Sequence, residues 1–210
     1  MDRIIDIVLP AIPQTLVMVL ASTIIALLIG IPLGIILTTT RPGGLTESTK
    51  LYSILDGIIN VLRSFPFVIL MIVVFPLSRL IVGKSYGTAA MIIPLSLSAA
   101  PFVARLMEGY FIQVDQGIIE AAKSMGSTKS EIIFKVLIPE AMPMVVTGIT
   151  MTIINVIGYS AMAGVMGGGG LGDVANRYGY QRNEPLILWS AVIVIIILVQ
   201  IVQLIGNKIA

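Results

Sequence analysis

The chain has no cysteine and no histidine in its 210 residues. Those two absences remove disulfides, thiolate nucleophiles, ordinary zinc sites and any Ser-His catalytic pair. Charge is scarce too. Only 11% of residues are Asp, Glu, Lys or Arg, against about 25% in an ordinary soluble domain. The net charge of +2 is too small and too dispersed for a nucleic-acid surface. Apolar residues take the place of charge: 57% of the chain is hydrophobic, which puts it in the integral membrane class, with the lipid bilayer as its solvent. A single domain over about residues 10–206 is expected. The N-terminus does not read as a signal peptide. Asp2, Arg3 and Asp6 spoil a positive n-region, and the apolar run Leu16–Leu37 covers 22 residues, longer than an h-region of about 7–15.

A helical span needs about 20 mostly apolar residues. Five stretches qualify, at about 14–38, 58–82, 87–106, 143–165 and 186–206, so the fold class is an all-α polytopic membrane protein. Lys50–Asn60 reads as an amphipathic lead-in to the second span. With the N-terminus outside, the inner side collects eight of the 13 Lys and Arg residues, three of them in the loop 107–142. That bias fixes the expected orientation. No carboxylate falls in the middle of a span. Proton relays use such groups, so the driving energy is expected from elsewhere.

The spans are not plain anchors. Gly30 and Gly34 form a small-xxx-small face for close helix approach, with Pro32 between them. Gly148, Gly158, Ser160 and Gly164 punctuate the fourth span. Asn155 and Ser160 are costly facing lipid, so the fourth span is the expected pore lining. The alternative for any one of these residues is ordinary helix packing.

The inner loop 107–142 carries the most specific pattern. Ile118, Ile119, Ala122 and Met125 share one helix face. Gly126 suits the left-handed residue that ends that helix. Thr128 and Glu131 form a capping box that starts a second helix, with an apolar stripe of Ile132, Ile133, Val136 and Leu137 and Pro139 at its end. Two readings are open: a helical hairpin lying on the bilayer, or a docking knob. In the second, Ala121 and Ala122 allow close approach of another protein and Glu120 offers a polar contact.

This segment resembles the E-A-A motif of bacterial ABC-importer permeases, in which E-A-A, three residues, G and nine residues precede I-x-L-P. Glu120, Ala121, Ala122, Gly126 and Pro139 match in register, with Val136 and Ile138 as conservative departures. Over almost the whole chain the likeness is to the permease family of the D-methionine transport system. It is carried by Thr40–Gly43, Arg63–Phe67, Ala99–Phe102, Gly158–Met162 and Gly169–Gly172. The resemblance implies a type I importer subunit with five spans and the N-terminus outside, working as a homodimer in the bacterial plasma membrane. It implies two ATPase subunits that carry ATP and Mg, leaving this chain non-catalytic and without a cofactor. It also implies an external substrate-binding lipoprotein, a coupling role for Glu120–Gly126, a gate near Met162, and methionine as substrate. A polar amino-acid permease of the same class is the alternative.

Two other signals fail. Gly83-Lys84-Ser85 looks like the end of a P-loop, but Ser78 stands where that motif needs glycine. Gly170-Leu-Gly172-Asp173 matches the GxGD signature of intramembrane aspartyl proteases. That chemistry needs two carboxylates sharing a proton, and no other Asp occupies a span. The glycines at 167–170 are expected to form a flexible external turn, with Asp173 in a loop.

Overall fold

The computed structural model describes residues 2–209. A short helix α1 (Asp2–Val8) precedes the long α2 (Ala11–Thr40). Then come α3 (Thr49–Ser64), α4 (Phe67–Val82) and α5 (Thr88–Ile112). Two short helices, α6 (Gln116–Ser124) and α7 (Lys129–Ile132), lead into α8 (Ile138–Ala163). After them α9 (Gly170–Val174) and α10 (Pro185–Ile209) close the chain. α2, α5, α10 and the continuous run that contains α8 are each long and apolar enough to cross a bilayer, and α3 with α4 qualifies as a bent pair. Helices are the natural outcome, because each satisfies its own backbone polar groups where water is absent.

α2 and α5 pack side by side in parallel. A Cβ added at Gly30 would lie 2.5 Å from Val103 Cβ, and one at Gly34 would lie 2.6 Å from Met107 Cβ. Both glycines are therefore required for the approach of the two helices, as their spacing suggested. α8 runs antiparallel to α5, with Gly148 against Tyr110 and Leu106. The main core joins all three through Val19, Ala26, Val103, Met107, Phe111 and Val156. Because α2 and α5 are parallel, Arg41 after α2 and Lys123 after α5 line one small cavity at the same end of the bundle. This agrees with the inner grouping of cations read from the sequence.

Two expectations change. The stretch 58–82 is not one straight span. The chain breaks at Phe65 and Pro66, and the axes of α3 and α4 differ by 106°. Pro66 has no N–H to donate and holds the residue before it out of the helical region. Phe65 and Pro66 are accordingly both extended, with ψ of 126° and 130°. α5 also continues six residues past its expected end at 106, which brings Glu108 into the helix.

The glycine-rich stretch is not a flexible turn. The chain kinks within Gly164–Gly168, where Met166 and Gly167 leave helical φ/ψ, α9 follows, and a wide helical turn spans Ala175–Tyr180. The stretch is tied down at several points. The Gly170 and Leu171 N–H groups donate to Gln14 Oε1 (2.7 Å) and Thr15 Oγ1 (2.9 Å), and the Gly87 N–H donates to the Gly167 carbonyl at 2.8 Å. Gly167, Gly169 and Gly170 all have positive φ, which only glycine adopts cheaply. Leu171 is fully buried beside Val8, Ile187 and Ala191. Asp173 sits in α9, not in a loop, and pairs with Arg177 at 2.9 Å.

Candidate coupling surface and translocation path

The knob at the inner end is built from local chemistry. Asp115 caps α6, its Oδ1 accepting from the Gly117 N–H at 2.7 Å. The helix ends at Met125. The Gly126 N–H donates to the Lys123 carbonyl (2.9 Å) and the Ser127 N–H to the Ala122 carbonyl (3.1 Å), the paired bonds of a Schellman cap. Gly126 has φ of +81° and open space around it, so backbone conformation and not crowding requires the glycine. Thr128 starts α7 with both bonds of the capping box present.

Glu131 closes that box. Its Oε2 accepts from the Thr128 N–H (3.0 Å) and hydroxyl (2.9 Å), and its Oε1 accepts from Lys135 Nζ at 3.0 Å. The Thr128 backbone bond, then Lys135, hold this exposed carboxylate at a pKa of about 2, below its ordinary 4.5. A lowered folded pKa means the cap contributes fully above about 4.5 and fades as pH falls toward 2. The protection of the Thr128 amide, its exchange relative to the intrinsic rate at the same pH, should therefore fall over that window. Glu131→Gln should remove the acid-dependent part while leaving some faster exchange at neutral pH. A Thr128 protection factor indifferent to pH in the wild type would contradict the cap.

α7 does not end at Pro139. The helix widens into a π-turn over Ile133–Leu137 and continues into α8, with the Ile138 N–H donating to the Ile133 carbonyl five residues back. Pro139 supplies the cause: it cannot donate to the Lys135 carbonyl, and its ring crowds that group. The mostly apolar part of this long helix begins after Glu140.

The expected knob residues divide by face. Glu120, Ala121 and Gly126 are exposed, as is Pro139, and Met125 is 79% exposed. Ala122 is only 3% exposed and packs with Ile119, Ile132 and Leu137 into the chain's own core. It therefore does not offer itself to another protein. Its place in the pattern is to let α6 lie close against the base of α8. Ile118 and Met125, read as sharing a face with Ile119 and Ala122, point outward while those two are buried.

Along α8, Met151, Gly158 and Met162 form one open stripe that Val165 extends just past the helix end, with half-buried Asn155 on the same line. Met162 is 47% exposed. Ser160 does not share this stripe. It lies roughly 160° round the helix from Met162, is 1% exposed, and donates its hydroxyl to the Ile157 carbonyl at 2.7 Å. Burial facing protein is how it avoids lipid, but the side it faces is the packed one. Above the stripe, Met162 and Val165 border a cavity of about 390 Å³ that Gly172, Asn176 and Tyr180 also line.

Sequence reading missed a polar cluster between α3 and α5. Arg105 donates to Glu108 at 2.6 Å, to Asn60 at 2.9 Å and to Asp56. Glu108 is 3% exposed, so its charge is compensated by that guanidinium. The signal was present as Arg105 and Glu108 at i, i+3 and Asp56 and Asn60 at i, i+4. Ending the third span at 106 hid it.

Crossing helices around an open stripe, with a rigid capped knob at one end, make a membrane-embedded transport component. The chain belongs to the family described as binding-protein-dependent transport system inner membrane component, which matches residues 30–207. It is a multi-pass inner-membrane protein of that family. Among curated relatives, the probable D-methionine transport system permease protein MetI of Vibrio cholerae is 48% identical over 202 residues, covering 96% of this chain and 90% of the relative. The methionine import system permease protein MetP of Bacillus subtilis is 44% identical, covering 83% and 78%. A chain of the inward-facing MetNI methionine ABC transporter (native crystal form) superposes with a TM-score of 0.97 at 39% identity, covering 100% of this chain and 97% of that one. An amino acid ABC transporter structure shares the fold, with a TM-score of 0.72 at 20% identity.

Proposed function

We propose that this chain is the membrane subunit of an ATP-binding-cassette importer that carries methionine, or a closely related amino acid, into the cell. The observation that carries the reading is the knob itself. Glu120, Ala121, Met125 and Gly126 form an exposed, conformationally fixed surface, and one capped turn at Gly126–Thr128 joins it to the continuous helix that bears Met162. Such a surface suits the cleft of an ATPase partner, and two copies of the chain would place two stripes across a shared path. The chain itself is non-catalytic; ATP and Mg belong to the partner. Substrate arrives from an external binding protein at the end that carries the glycine-rich stretch Gly164–Gly170, with the N-terminus outside. Closing of the ATPases moves the knobs, and rigid-body motion alternates access to the path.

Methionine is favoured by the 39–48% identity to methionine transport components. The protease reading has no support in the geometry of Asp173, which engages a guanidinium and not a second carboxylate. The test is uptake of labelled methionine by cells lacking the chain and by the same cells with it restored, with unlabelled amino acids as competitors. Restored uptake that methionine competes best is the expected result. Uptake unaffected by deletion would refute the reading.

A further inference from the structure

Beside the Arg105 cluster, a cavity of about 180 Å³ is lined by Arg63, Phe102, Arg105, Leu106, Tyr110 and Gln113. Its position relative to α8 is fixed by Gly148, where an added Cβ would lie 2.6 Å from the Tyr110 ring and 3.0 Å from Leu106. Gly148 lies on the helical line of Met151, Asn155 and Met162, which puts the cavity wall beside the inner end of the same stripe.

The charges around it differ in kind. Arg105 is already held by Asp56 and Glu108, which leaves one negative charge in excess. Arg63 is exposed at the end of α3 and makes no ion pair or side-chain hydrogen bond with the described residues. Arg63 belongs to the inner-side group of cations read from the sequence. A free guanidinium presents a planar fork that matches a carboxylate. With donors from Tyr110 and Gln113 and an apolar wall from Phe102 and Leu106, the cavity combines one cation unpaired among the described residues, a nearby anionic excess and a greasy face.

We infer that this cavity is an inner station on the path, where Arg63 receives the carboxylate of a zwitterionic amino-acid substrate before release into the cell. The ammonium is drawn toward the excess negative charge at Asp56 and Glu108, and the side chain lies against Phe102 and Leu106. The inference rests on the importer reading above, and its specific content is the role of Arg63.

The test uses the whole transporter, permease with ATPase and binding protein, in proteoliposomes supplied with ATP and labelled methionine. Rates are normalised to assembled complex. Arg63→Gln should lower the maximal uptake rate about tenfold, the scale of one charge-assisted bond to a carboxylate, while Arg63→Lys should recover at least half. Leu106→Trp, which fills the cavity without touching charge, should lower the rate by a similar factor. An Arg63→Gln transporter within twofold of wild type overturns the inference while leaving the importer reading intact. Absence of uptake by the wild type of both methionine and related amino acids sinks the importer reading itself. Rates that depend on anionic lipid content in the wild type, and lose that dependence in Arg63→Gln, would assign Arg63 to a lipid headgroup and overturn the carboxylate role.

Discussion

Ala121→Trp should leave the permease folded and inserted, yet reduce uptake by more than tenfold. Ala121 is exposed on the knob beside Glu120, so an indole there meets nothing within its own chain's core. It would stand proud of the surface that the proposed ATPase must grip. Losing the fit at a central contact costs about 2 kcal/mol or more, roughly 30-fold in affinity. The measurement is paired: uptake on one side, co-purification of the ATPase and thermal melting of the permease on the other. Ala122→Trp should fail differently. That residue is packed against Ile119, Ile132 and Leu137, so a large side chain overpacks the core by about 1–3 kcal/mol or more and lowers the melting temperature. Normal uptake by Ala121→Trp would remove this face from the coupling surface. Equal melting temperatures for the two variants would contradict the division of the α6 faces.

Gly172→Ala should be the most damaging single methyl in the molecule. A Cβ at that position falls inside the carbonyl of Ala161, with the Ala161 Cα also within 2.6 Å. Those atoms belong to the backbone of α8 and cannot swing aside as a flexible side chain would. Either α9 lifts from α8 or the helix deforms, at about 3 kcal/mol by comparison with other overpacked sites. Gly158→Ala is the control. It lies on the open stripe of the same helix, an added Cβ meets nothing within 4 Å, and alanine favours a helix over glycine by about 1 kcal/mol. Melting of the purified variants in detergent should show a large drop for the first and none for the second. A Gly172→Ala protein as stable as wild type would mean that α9 is not seated on α8.

The inner loop was the most legible part of the sequence because its structure is local. Thr128 and Glu131 satisfy backbone groups within four residues, and Gly126 answers a conformational need of its own chain position. The five apolar stretches were equally readable, since length and hydropathy decide them. What could not be read depends on partners distant in sequence. The seating of Gly167–Gly170 relies on Gln14 and Thr15, about 156 residues away, and nothing in a run of glycines shows whether something packs on them. Ser160 was a polar residue on an apolar helix, which says it must avoid lipid but not which side it turns to. The inward position of Ala122 follows from where α8 begins. The Arg105 cluster needed Asp56 and Asn60 to be brought alongside by the break at Pro66, whose angle a hydropathy pattern does not contain.

The unbroken course of the chain from Lys129 to Ala163 has a mechanical meaning. At 1.5 Å per residue the segment is roughly 50 Å long. It has no loop along its length, and its widened turn at Ile133–Leu137 lies near one end. In the proposed importer it would act as a lever, its short arm meeting the knob through the turn at Gly126–Thr128 and its long arm carrying Met162. A tilt of about 5° at the base displaces the far end by roughly 4 Å over that length, on the scale of a methionine side chain's width. A rotation far smaller than any hinge motion could therefore open or shut the stripe. The wide turn, placed at the fulcrum, would set how much of the knob's movement reaches the other arm.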